Sequence, residues 1–262
     1  MTRRDRTRHH PINPGVTPGA RRPGALQNML RSGLASAALI LAGALLPLST
    51  AYAQSTPSVP DVLPTHAALD IPAIAETKPN WSWAAVGQMI MDFYSVPPLY
   101  GADNWQCSLA DFLTGVQACE APKDTPADQA VLKLIQGYPQ FAHKFFGEDP
   151  VVMRYQQHKV LTPLEAIHEI RFERPFIAIV QPPKLSAEDK GGKAVVLVIG
   201  YDGSADSLRL IVNDPRQYQV GADPYADAGA QKLDVNGEYS IGYTDFLQQM
   251  KWTGTIDWIK PE

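Results

Sequence analysis

Cysteine is scarce: Cys107 and Cys119 are the only two in 262 residues. Histidine is sparse too, and past the first segment only His66, His143, His158 and His168 occur. None of these four is set with cysteines or acids at zinc-ligand spacing, so no metal site is expected. No glycine-rich phosphate loop is present, and no cofactor is implied. Asp223, Asp227 and Asp234 lack the spacing of a calcium loop and read as solvated surface. Carboxylates are plentiful, but no pair of them stands out as an acid and base for glycoside chemistry. Internal repeats are absent. The long apolar stretch, Gly33 to Leu48, is shorter than a comfortable membrane span, which argues against a stable anchor.

That stretch belongs to an export signal. Arg3, Arg4, Arg6, Arg8, Arg21, Arg22 and Arg31 precede or open it, and Ala51-Tyr52-Ala53 closes it as a cleavage site. Residues 1–53 are therefore expected to be removed after Ala53, leaving a periplasmic or secreted protein. Met29 offers an alternative start that gives a signal of ordinary length. No cysteine follows the cleavage site, so a lipoprotein is not expected.

The first 53 residues hold seven Arg against one Asp, so the remaining 209 carry −10 against −4 for the whole chain. That balance argues against a nucleic-acid or anionic-membrane partner. The length suits one domain with a real core.

Three anchors organise the rest. The first is Asn80-Trp81-Ser82-Trp83-Ala84-Ala85-Val86. Trp83, Val86, Ile90 and Met91 recur at spacings of three and four, as one packed face of a helix requires. Ser82 stands near the free N–H groups and positive dipole end of that helix, which suits a nucleophile or an N-cap. The second anchor is Gly191-Gly192-Lys193-Ala194-Val195-Val196-Leu197-Val198-Ile199-Gly200-Tyr201, and the third is Val212-Asn213-Asp214-Pro215.

Together these segments resemble the papain-like cysteine peptidases of the bacterial C39-like and AvrRpt2-like type. The likeness covers roughly residues 70–255. It implies an α+β papain-like fold, in which an N-terminal helical part carrying the catalytic-position helix packs against a C-terminal antiparallel sheet. The expected division is an irregular lead-in over 54–75 and the domain over 76–262. By the same resemblance Ser82 occupies the place of the family's nucleophilic Cys, Lys193 that of its His, Asp214 that of the orienting acid, and Glu76 that of the oxyanion-hole Gln.

Three of those four positions depart from the pattern. A hydroxyl is a poor nucleophile without a strong base. A lysine is protonated unless burial or like charge intervenes. A carboxylate at Glu76 opposes a developing oxyanion. The expected outcome is a degenerate, catalytically inactive member with a Lys193–Asp214 salt bridge, acting by binding a peptide or protein partner in the cell envelope. Trp81 and Trp83 would then line the partner cleft. The alternative is an active Ser–Lys peptidase or esterase with Ser82 as nucleophile and Lys193 as base.

Elsewhere, Cys107 and Cys119 are expected to form a disulfide, as the only pair in an exported chain; the resembling family also carries cysteines here, including a Gln-Cys pair like Gln106-Cys107. Thr125-Pro126-Ala127-Asp128 opens a helix that Gly137 should end, and Phe141, Phe145 and Phe146 add apolar surface beyond it. Thr162-Pro163-Leu164-Glu165 opens a second helix to about Phe172. Strands are expected at 174–180, 194–200, 208–212 and 239–243, a long loop over 216–237, and a short helix from Thr244 to Met250. The polar loop 182–192 falls at the cleft rim, and Trp252 and Trp258 should pack the C-terminal segment.

Overall fold

The computed structural model describes residues 64–99, 105–115, 119–120, 125–183, 192–219 and 221–262. The expected export signal and most of the 182–192 loop lie outside the described residues.

The architecture is α+β, as expected. Helix α1 (Ser82–Phe93) follows strand β1 (His66–Ala68), and α2 (Trp105–Thr114) and α3 (Ala127–Phe145) complete the helical part. After them come β2 (Met153–His158), α4 (Pro163–Arg171), β3 (Phe176–Val180), β4 (Ala194–Asp202) and β5 (Arg209–Asn213). The chain ends through α5 (Pro224–Asp227), β6 (Gln231–Asp234), β7 (Glu238–Gly242), α6 (Tyr243–Gln248) and β8 (Gly254–Pro261). The strands pair antiparallel in the order β2-β8-β3-β4-β5-β7-β6, with β1 alongside the far end of β4.

Strand alternation gives the sheet two apolar faces. Val195, Leu197 and Ile199 of β4 pack under α1, α2 and α3. Ala194, Val196 and Val198 pack against α4, α6 and Trp252 on the other side. A buried strand covered on both faces reads as a continuous hydrophobic run, which is how 194–200 is recognisable in the sequence.

Several expectations change. Within the irregular lead-in there is a short strand that was not expected, His66–Ala68 paired with Gly200–Asp202, and Ile71 docks in the helical core. Helix α3 runs straight through Gly137 and Pro139 to Phe145. Gly137 serves packing rather than termination, since a Cβ there would stand 3.0 Å from the Phe112 ring. Its first turn starts after Pro126, which takes the N-cap position expected for Thr125. The expected long loop 216–237 contains α5 and β6, and β2 and β8 are strands with no sequence forecast. Helix α4 opens as read, with Thr162 and Glu165 forming a reciprocal capping box. Asp223 caps α5 and accepts the Tyr239 hydroxyl, so it has a structural task.

Cys107 and Cys119 form the expected disulfide, their Cα atoms 5.2 Å apart. Beside it, buried Gln106 ties the chain before α1 in place. Its Oε1 accepts from Thr77 N–H (2.9 Å) and Thr77 Oγ1 (3.1 Å), and its Nε2 donates to Ala75 O (2.8 Å) and Gln88 Oε1 (3.2 Å).

Candidate functional site

Asn80 takes a left-handed backbone (φ 64°) and turns the chain into α1. Trp81 is the N-cap residue and makes no side-chain cap. Ser82 is the first helical residue, so the capping role open to it in sequence is not the one it plays. Its hydroxyl instead accepts a hydrogen bond from Val195 N–H at 3.4 Å, and the residue is 1% exposed.

Lys193 precedes Val195 by two positions. Alternation along β4 sets both on the face that carries α1 and α3, so Ser82 and Lys193 share one end of the strand. Gly192, at φ 60°, makes the turn into it, where a Cβ would meet Gln181 Nε2 at 2.7 Å.

The expected Lys193–Asp214 pair does not form. Lys193 Nζ lies 3.0 Å from Asp128 Oδ2, in the first turn of α3. Asp214 turns to the opposite face. Its neighbour Asn213 points toward α1, donating to Ile71 O at 2.8 Å, while Asp214 Oδ2 accepts from Tyr218 OH at 2.9 Å and Oδ1 from Arg216 N–H at 3.0 Å. The cause is a bulge. Tyr201 pairs with Leu210 and Gly200 with Ile211, but beyond Ile199 the register slips by one and Leu197 meets Asn213. Without that extra residue Asp214 would stand opposite Leu197, on the Lys193 face; a one-residue slip exchanges the faces.

Asp214 is wholly buried, and burial pushes its carboxyl above the ordinary range against the opposing charge of Arg216 and its hydrogen bonds. Burial and the Asp214 charge together push Tyr218 and Tyr225 well above the usual phenol value. Gly237 permits this cluster: its carbonyl accepts Asp214 N–H at 2.8 Å, and a Cβ there would fall 2.1 Å from Asp214 O.

Glu76 is half-buried and meets the third anchor through its backbone, its N–H donating to Pro215 O at 2.9 Å. Trp81 and Trp83 do not line a cleft. They are 2% and 1% exposed, ring centres 5.9 Å apart, inside the helical core. Large rings at the start of a helix packed on both sides are worth more as core than as surface.

Two residues join this neighbourhood that sequence reading did not place there. Asp128 had only a helix-start signal, and Gln106 only its position before Cys107. Among the described residues no group of three or more His, Cys, Asp or Glu could hold a metal ion.

No family model and no curated protein matches the sequence. Among solved structures the chain is similar to one from Bacillus anthracis assigned as a C39-like peptidase, at 13% identity and a TM-score of 0.42, over 75% of this chain and 99% of that one. A likeness at that level says nothing of activity.

Proposed function

We propose that this chain is an exported, catalytically inactive papain-like homologue of the C39-like type that acts by holding a peptide or protein partner. The observation that carries the reading is the state of the two would-be reacting groups. Ser82 is buried with its hydroxyl engaged by a backbone N–H, and Lys193 is in an ion pair with Asp128. An ion-paired ammonium has no lone pair to accept the hydroxyl proton, and a nucleophile must be reached by its substrate. Asp214, facing the other layer, is not placed to orient anything at Lys193.

Export is supported by the basic and apolar N-terminal segment and by the disulfide, since such bonds persist in oxidising compartments. No helix among the described residues is long and apolar enough to cross a membrane. Support for a protein partner comes from the end of α3. Phe141, Phe145 and Phe146 are 45%, 62% and 49% exposed and touch ring to ring, and clustered exposed aromatics are a mark of association surfaces.

The test is reaction of the purified chain from Gln54 with a fluorophosphonate probe, p-nitrophenyl esters and labelled casein. The reading requires no labelling and no turnover above a Ser82→Ala control. Labelling or ester cleavage lost in Ser82→Ala overturns it in favour of the Ser–Lys hydrolase.

A further inference from the structure

A second polar centre lies on the α4 face of the sheet, away from Ser82. A cavity of about 430 Å³ opens there, lined by Gln156, His158, Leu161, Leu164, His168 and Asp257 among others. That volume is in the range of small-molecule sites.

The backbone beneath it is strained. Between Arg154 and Gln156 the β2–β8 register slips, and Trp258, in the slip, has φ 59°. A left-handed backbone at a residue this bulky costs energy and tends to persist at ligand sites. Bulges likewise gather where a side chain has to be re-aimed.

The three acids of this centre are treated differently, and Glu165 is held in the capping box with Thr162. Glu169 is fully engaged: Arg174 donates to both of its oxygens, at 2.6 and 2.8 Å, and Trp258 N–H reaches Oε2 at 3.2 Å. Arg174 also lies 5.0 Å from the ring centres of Phe172 and Trp258, and Lys260 Nζ is 5.0 Å from the Trp258 ring. Asp257 has no such complement. It is 4% exposed, and its buried Oδ1 accepts no hydrogen bond among the described residues. His158 Nε2 stands 3.5 Å from it but also faces Gln156 Oε1 at 3.2 Å. A buried carboxylate oxygen without donors is costly.

We propose that this cavity binds a small alkylammonium ion, whose N–H donors complete Asp257 while its carbon stem lies against Leu161 and Leu164. The missing element at Asp257 is a charged donor within hydrogen-bond distance of Oδ1, since His158 stands off at 3.5 Å. The Trp258 ring already has two cations of the protein beside it, so recognition falls to the carboxylate. An anion would meet an uncompensated negative group, and a neutral alcohol would bring one donor and no charge. Leu164, 57% exposed, lines the cavity.

The experiment titrates n-butylammonium chloride into the 15N-labelled chain from Gln54 at pH 7.5, following the Trp258 indole and His158 and His168 side-chain signals. n-Butanol and butyrate serve as isosteric controls. Nα-acetyl-lysine amide tests whether the ammonium arrives free or on a peptide side chain. Saturable shifts are expected for an ammonium probe, with at least about tenfold weaker binding of both controls and of Asp257→Asn to the same probe, as loss of a charged hydrogen bond requires. Leu164→Trp, altered at an exposed position, is expected to block the probe with Asp257 intact, and it decides the matter if Asp257→Asn does not fold. No saturable shift with either ammonium, equal binding of butyrate, or undiminished binding in both variants overturns the proposal.

Discussion

Lys193 and Asp128 face each other at 3.0 Å, clamping the start of β4 to the first turn of α3 at the end of the strand where Ser82 lies. The acid that a peptidase would need beside Lys193 is on the far side of the sheet.

A double-mutant cycle on Lys193→Met and Asp128→Asn measures what the clamp contributes. The lysine side chain is 47% exposed and the aspartate 20%, so a coupling of about 0.2–1 kcal/mol is expected in urea titrations, shrinking in high salt. A coupling of several kcal/mol would mark a far drier pair than the geometry describes.

Introducing the residue types of the resembling peptidases should not confer their chemistry. The double variant Ser82→Cys with Lys193→His is expected to fold yet leave labelled casein intact, and its thiol should react slowly with iodoacetamide because position 82 is buried. Casein cleavage by that variant would mean that the residue types at positions 82 and 193 alone decide activity, and that the bulge at Ile199 does not matter.

How much of this was legible in advance depends on which physics wrote the signal. Helix α4 announces itself through Thr162, Pro163 and Glu165, and β4 through eight buried residues in a row. Strand β2, at the sheet edge, is mostly exposed and polar, and β8 is broken by Asp257 and Lys260, so neither has a clean period. Gly137 was misleading because the same residue that ends helices also allows close approach of a neighbouring ring. The site was harder still. Ser82 and Lys193 carry a motif signal, and both lie at the start of β4. The face taken by Asp214 depends on one extra residue in β4, and a bulge leaves little mark on composition. Trp81 and Trp83 belonged to the helix start, but sequence alone did not tell which side of it meets solvent.

Opening the disulfide should destabilise the helical part. Cys107 and Cys119 close a short loop, and Cys107→Ser with Cys119→Ser, or reduction, is expected to cost about 3 kcal/mol in the loop-entropy description. Urea midpoints with and without reductant check this, and α2 should lose amide protection first.

Asp257 carries a pH signature. Burial raises its carboxyl from an ordinary 3.8 to about 6, with Glu169 adding to the rise and His158 and Arg174 opposing it. The folded chain therefore binds a proton there that the unfolded chain releases, so stability falls as pH rises through that interval, from 3.8 to about 6. Asp257→Asn should remove that fall. A wild-type pH profile identical in slope to that of the variant across the interval would contradict it.

The placement of β8 also dictates an order of events. It lies between β2 and β3, pairing Met153 with Pro261 on one side and Ile177 with Ile256 on the other. Until it arrives, β2 has no seat in the sheet, although it is made long before. Such distant pairing slows folding and leaves strand edges exposed meanwhile. Nascent chains halted before Gly254 should thus present β2 and the edge of β3 to chaperones, and release of the final strand would be the step that closes the molecule.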